Sequence, residues 1–216
     1  MKKVGIIGGS GFAGEELIKF LSAHETSDLI AVSSRDRKDK KVADLVKDCN
    51  LNFVDPDDDI FFECDVVFFA TPHGVSMKKA GSFLDRGIKV VDLSADYRLK
   101  DTGIWKEWYG SEHLDKENLR TAIYGLTELN TDQIKKANLI AVPGCYPTAS
   151  ILGLLPLTSG KFKIGSISID AKSGISGAGR STVENVLKTE IQENFRAYAT
   201  SGHRPVSYTH LTLPTT

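Results

Sequence analysis

Val4-Gly5-Ile6-Ile7-Gly8-Gly9-Ser10-Gly11-Phe12-Ala13-Gly14 decides the fold. A short β-branched run ends in glycines, and a helical pattern carrying Leu17, Ile18, Phe20 and Leu21 follows directly. Strand, tight turn and helix in that order open a Rossmann-type unit. Gly9-Ser10-Gly11-Phe12-Ala13-Gly14 matches G-x-G-x-x-G, and Gly8, Gly11 and Gly14 are also spaced by three. Glycines here let the backbone approach a pyrophosphate while the helix N-terminus faces it. The expected ligand is a dinucleotide held by Gly8, Gly9, Ser10, Gly11, Phe12, Ala13 and Gly14.

Downstream segments extend the same plan. Leu29 to Val32 reads as the second strand, and where it ends the chain supplies Ser33-Ser34-Arg35 rather than an acidic residue. Hydroxyls and a guanidinium suit the 2′-phosphate of NADP, which a carboxylate would repel. A plainer reading is that Arg35 only begins the solvated basic run to Lys41. Val66 to Ala70 is nearly all apolar, as a central parallel strand covered on both faces should be. It leads into Thr71-Pro72-His73-Gly74, where a structural role for His73 outweighs general-base chemistry. Lys89 to Leu93 is a further strand, leading to Ser94-Ala95-Asp96-Tyr97-Arg98. Arg98 can grip a substrate carboxylate or phosphate there, unless a pair with Asp96 consumes it. Trp105, Trp108 and Tyr109 read as a satellite core, and Asp57-Asp58-Asp59 as a solvated loop or acidic helix start rather than a metal site.

Leu139 to Val142 returns to strand composition, then Pro143-Gly144-Cys145-Tyr146-Pro147-Thr148 turns into an apolar helical run. Cys145 thus falls at a helix N-terminus, where backbone N–H groups and the helix dipole favour thiolate, the nucleophilic form. Cys49 and Cys64, the other two of three cysteines, read as inert core residues. Ile164 to Ile169 is β-rich and precedes Lys172-Ser173-Gly174-Ile175-Ser176-Gly177-Ala178-Gly179-Arg180, a phosphate- or nicotinamide-facing loop with a helix starting near Ser181.

Composition narrows the classes. With 216 residues and 41% hydrophobic side chains, the chain can bury a substantial core. A formal charge of −1 from 27 basic and 28 acidic residues gives no bulk attraction to nucleic acid or anionic membrane. The N-terminus lacks a signal-peptide pattern and no apolar run reaches spanning length. Scattered cysteines without disulfide or metal spacing point to a reducing cytoplasm.

Gly8 to Gly14, Ser33 to Arg35, Gly144-Cys145-Tyr146-Pro147 and Lys172 to Arg180, in this order, resemble the N-acetyl-gamma-glutamyl-phosphate reductases of arginine biosynthesis. The resemblance runs from Met1 to about Arg204. It implies a Rossmann-type NADP-binding domain over residues 1–144 and the incomplete start of an α+β semialdehyde-dehydrogenase catalytic domain over 145–204. It further implies a phosphorylating semialdehyde dehydrogenase: Cys145 attacks N-acetyl-L-glutamyl 5-phosphate and expels phosphate, and NADPH reduces the thioester to the 5-semialdehyde. By the same comparison, Ser33, Ser34 and Arg35 meet the adenosine phosphate, Ser176 and Gly177 approach the nicotinamide, His203 is the acid/base partner, and the full-length enzyme is a homo-oligomer.

The pattern breaks after His203-Arg204. A second histidine followed by Pro-Glu-Ile is expected, whereas Pro205 to Thr216 reads as a foreign, non-native tail in which His210 is out of register. Catalysis and assembly by this chain are therefore open. Alternatives are a related dehydrogenase acting on aspartyl phosphate or carrier-bound amino-adipyl phosphate, a redox-sensing NADP-binding protein whose Cys145 is oxidised, and an inactive fragment that associates through uncovered sheet edges.

Overall fold

The structure, a computed structural model, describes residues 1–158, 160 and 164–187. The chain divides into two units, residues 1–142 and residues 143–216.

The first unit is built on a seven-stranded parallel sheet in the order β3-β2-β1-β4-β5-β7-β6. Its strands are β1 (Lys2–Ile7), β2 (Ser27–Ser33), β3 (Phe53–Val54), β4 (Val66–Phe69), β5 (Lys89–Asp92), β6 (Ile123–Tyr124) and β7 (Leu139–Ala141). Helices α1 (Phe12–Ser22), α2 (Ser76–Leu84), α3 (Thr102–Tyr109), α4 (Lys116–Thr121) and α5 (Thr127–Lys136) make the connections. Chain order reverses at β1, which pairs with both β2 and β4, so the ligand-binding crevice of this architecture falls at the carboxyl ends of those strands.

Successive side chains of a strand point to opposite faces, and the core is divided accordingly. Ile6 and Val32 pack with Ile18 of α1 and with Phe53 on one face. Their neighbours Ile7 and Ala31 pack with Phe69, Phe83 and Val90 on the other. Each large side chain buried this way contributes about 1.5–3 kcal/mol. Trp105 belongs to this second, main cluster rather than to a satellite: it is fully buried and stacks on Tyr109 at 3.9 Å between ring centroids.

Helix ends follow from local chemistry. Asp101 caps α3 by accepting from the Gly103 and Ile104 N–H groups at 2.7 and 3.1 Å, and Gly110 ends it at φ 70°. Asp58 of the acidic run accepts from the Ile60 N–H and starts a 3₁₀ turn, Asp59–Glu63, while Asp57 pairs with Lys79. Lys100 donates to the carbonyls of Leu119, Arg120 and Ala122, closing the end of α4.

In the second unit, α6 spans Cys145–Thr158 and α7 spans Arg180–Leu187, close to the helix start expected near Ser181. Between them, residues 164–169 are not a strand. β propensity expresses itself only where a neighbouring strand completes the hydrogen-bond ladder, and among the described residues of this unit there is none. Among the described residues, no helix is long and apolar enough to cross a membrane.

Candidate active site

The turn after β1 is held open on one side and packed shut on the other. Gly8 adopts φ 93°, and a Cβ there would meet the Ala70 carbonyl oxygen at 2.6 Å. At Gly14 an added Cβ would meet the Gly8 oxygen at 2.6 Å and the Gly9 Cα at 2.7 Å, and at Gly9 it would strike Val32. Gly11 differs from all three, because a Cβ there meets nothing within 4 Å among the described residues. Gly8, Gly9 and Gly14 thus let β1, β2, β4 and α1 close on the turn, whereas Gly11 leaves clear space at the helix start. Gly11 is also the N-cap of α1 and, as glycine, has no side chain of its own to cap the helix. A helix N-terminus behind an open glycine suits a pyrophosphate.

The serines after β2 brace this turn. Gly8 N–H donates to Ser33 Oγ at 3.3 Å, Gly9 N–H donates to the Ser33 carbonyl at 2.8 Å, and Ser34 Oγ donates to Ser10 Oγ at 2.9 Å. Both serines are buried, whereas Arg35 is exposed, and no acidic residue stands at the end of β2. These residues suit a dinucleotide: the serines shape the turn, and the next residue, Arg35, is an exposed cation.

The β5 end carries a buried polar cluster. Asp96 Oδ1 accepts from the Gly74 N–H at 2.6 Å, and its Oδ2 accepts from the Met77 N–H at 3.0 Å and Ser76 Oγ at 2.9 Å. Asp92 Oδ1 accepts from the Ser94 N–H at 3.0 Å, and its Oδ2 is hydrogen-bonded to Ser94 Oγ at 2.8 Å. Burial first, and the neighbouring Asp96 charge second, push the Asp92 carboxyl up to about 7. Tyr97 donates its hydroxyl to Asp115 at 2.7 Å, and burial followed by that carboxylate raises the phenol. His113, fully buried, accepts the Asp115 N–H at Nδ1, which makes Nε2 the donor to the Asp96 carbonyl at 2.8 Å. Sequence patterns did not single out Ser76 or His113, whose partners are distant in the chain.

Arg98 is half-buried at the same sheet edge. Its Nε donates to the Val142 carbonyl at 2.7 Å and one terminal nitrogen to the Leu93 carbonyl at 2.8 Å, so the side chain tethers the chain where it leaves β5 and β7. His73 is exposed, with its ring edge against Tyr109 at 5.1 Å, in keeping with a structural place in its loop. A groove of about 530 Å³ lined by Leu84, Asn118, Thr121 and Gln133 lies by the amino ends of β6 and β7, the edge opposite the glycine turn.

In the second unit, Cys145 is exposed and is the first residue of α6. The Gly144 carbonyl accepts from the Thr148 N–H at 3.0 Å and Thr148 Oγ1 at 2.8 Å, fixing the first helical turn around the thiol. Cys49 and Cys64 are buried, and burial pushes the Cys64 thiol up to about 12, unsuited to nucleophilic work. Ser176 and Gly177 lie in an exposed 3₁₀ turn, Ile175–Ala178. His203 and residues 205–216 lie outside the described residues.

Known proteins place this arrangement. The chain is 48% identical over 209 residues to an N-acetyl-gamma-glutamyl-phosphate reductase of Ruthia magnifica, covering 94% of this chain and 62% of the relative. It is 47% identical to the protein so named in Nitrosospira multiformis, over 94% and 61%. The chain therefore spans about three fifths of the length of these relatives. An aspartate semialdehyde dehydrogenase II structure from Vibrio cholerae shares the fold at TM-score 0.64 and 16% identity, over 94% of this chain and 56% of that one. Residues 3–137 match the semialdehyde dehydrogenase NAD-binding domain and residues 145–207 its dimerisation domain, so the chain belongs to the semialdehyde dehydrogenase family.

Proposed function

We propose that this chain carries the nucleotide-binding and nucleophile-bearing part of an NADPH-dependent reductase of N-acetyl-L-glutamyl 5-phosphate. The observation that carries the reading is Cys145, the exposed cysteine that opens α6, whereas Cys49 and Cys64 are buried. The similarity to reductases of that name across 94% of the chain supports the substrate.

In this reading the Cys145 thiolate attacks the acyl carbon, the carbon–oxygen bond to phosphate breaks, and inorganic phosphate leaves an acyl thioester on sulfur. Bound NADPH supplies the hydride that reduces this thioester. The glycine turn and the start of α1 receive the pyrophosphate, and Arg35 pairs with the 2′-phosphate. Ser176 and Gly177 face the nicotinamide. Arg98, oriented by its two carbonyl contacts, offers positive charge to the anionic substrate. His203 takes the thiol proton on attack; when the tetrahedral oxyanion left by hydride transfer collapses to the semialdehyde, the carbon–sulfur bond breaks and His203 returns that proton to the Cys145 sulfur. The complete enzyme works as a homo-oligomer in the cytoplasm.

Incubating the purified chain with N-acetylglutamyl phosphate, quenching in acid and mapping the adduct by mass spectrometry tests this reading. Acylation of Cys145 with release of phosphate, faster than with aspartyl phosphate and absent from Cys145→Ala, is the expected result. Equal rates for the two acyl phosphates would overturn the substrate, and an unmodified Cys145 would overturn the nucleophile.

A further inference from the structure

The four side chains Asp92, Ser94, Ser76 and Asp96 form one continuous buried line. Asp92 Oδ2 lies 2.8 Å from Ser94 Oγ, Ser94 Oγ lies 3.1 Å from Ser76 Oγ, and Ser76 Oγ lies 2.9 Å from Asp96 Oδ2. Ser94 Oγ also accepts the Asp96 N–H at 3.1 Å. All four residues are buried, at 0% exposure for Asp92, Asp96 and Ser76 and 6% for Ser94.

Counting protons along the line shows what holds it together. With both carboxylates ionised, the two hydroxyls supply two protons for three oxygen–oxygen contacts, so one contact of the line is left with no hydrogen. One added proton removes the conflict. Asp92 then donates to Ser94, Ser94 to Ser76, and Ser76 to Asp96, so that every hydroxyl donates once. The two ends are not equivalent. Both Asp96 oxygens already face a backbone N–H, from Gly74 and from Met77, whereas Asp92 receives one backbone N–H, at Oδ1, and its Oδ2 faces hydroxyl oxygen, where a proton fits. We infer that the line holds one proton, carried by Asp92 at mildly acidic pH, and that this proton locks the end of β5 to the Gly74–Met77 turn at the start of α2.

Phe69 of β4 and Ala141 of β7 stand opposite Asp92 in register and are uncharged. On the same loop, Tyr97 directs its hydroxyl to Asp115, and Arg98 donates to the Leu93 and Val142 carbonyls. From beyond α3, His113 bonds the Asp96 carbonyl rather than its carboxylate. The upward displacement of Asp92 to about 7 agrees with the proton count.

The device has a definite sign. A carboxyl that ionises later in the folded than in the unfolded chain stabilises most below the unfolded value, about 3.9, and loses that contribution as pH rises towards about 7. Unfolding measured in urea on the full chain between about pH 5 and pH 8 should show the folding constant falling up to tenfold per pH unit, then levelling off above about 7. Asp92→Asn should remove that dependence and remain folded, because its amide can donate to Ser94 Oγ while its oxygen still accepts the Ser94 N–H. Asp96→Asn should be much less stable, since one of its ends must turn an N–H towards the Gly74 or Met77 N–H. Infrared spectra of the unsubstituted chain give a reading that needs no variant: a protonated-carboxyl C=O band present near pH 6 and lost by about pH 9. Absence of that band near pH 6, or an equal pH slope in a folded Asp92→Asn, would overturn the inference.

Discussion

Substituting alanine at Gly11 and at Gly14 should separate folding from nucleotide binding within one turn. At Gly14 the new methyl would sit 2.6 Å from the Gly8 oxygen, 2.7 Å from the Gly9 Cα and 2.8 Å from the Gly9 carbonyl carbon. These are backbone atoms pinned by the Gly9–Ser33 hydrogen bond, so the helix must shift away from β1 as a body. Overpacking of this kind costs about 1–3 kcal/mol, and the rigid surroundings put Gly14→Ala near the upper end, roughly a hundredfold in the folding constant. At Gly11 the methyl meets nothing among the described residues, and φ −78° suits alanine. The weaker N-cap costs up to about 1 kcal/mol and is offset by about 0.4–1 kcal/mol from the stiffer unfolded chain. Stability should then stay within about 0.5 kcal/mol, while the methyl occupies the space a pyrophosphate needs. NADPH affinity should fall tenfold or more, about 1.4 kcal/mol. Urea unfolding followed by tryptophan fluorescence, with Trp105 as the buried reporter, gives the first quantity. Titration of NADPH fluorescence gives the second. Unchanged NADPH binding by Gly11→Ala would refute the assignment of that open face, and a Gly14→Ala as stable as the parent would refute the packing argument.

Brief treatment of the native chain with iodoacetamide should label Cys145 alone, with Cys49 and Cys64 reacting only after denaturation; peptide mapping reads this directly. Arg35→Ala should weaken NADPH binding about tenfold and leave NADH binding nearly unchanged, as parallel titrations would show, because only the former carries the 2′-phosphate. Lys100→Met keeps the aliphatic stem but withdraws a cation from the carbonyls that end α4, and should cost about 1–3 kcal/mol in urea unfolding.

Local signals were legible in the sequence because the residues that make them are neighbours in the chain. The glycine turn, the apolar run of β4 and a cysteine at the start of a helix each depend on a few consecutive residues, and each stands where its pattern placed it. Patterns whose meaning rests on a distant partner were read less well. Residues 164–169 have strand composition without a strand, since composition cannot supply the neighbour that completes a ladder. Trp105 looked peripheral by its polar flanks and is core, because α3 packs its single apolar stripe against the main cluster.

The same division runs through the candidate site. Sequence by itself determined a dinucleotide-binding turn and the Ser33-Ser34-Arg35 run at the end of β2, because spacing and residue type carry that information. Tertiary structure alone decided that Ser33 and Ser34 brace the turn, that Arg98 ties down two strand ends, and that Asp92 and Asp96 share a line of hydroxyls with Ser76. The physical reason is that a buried polar group takes its role from the partner that satisfies it, and these partners lie up to 44 residues away along the chain.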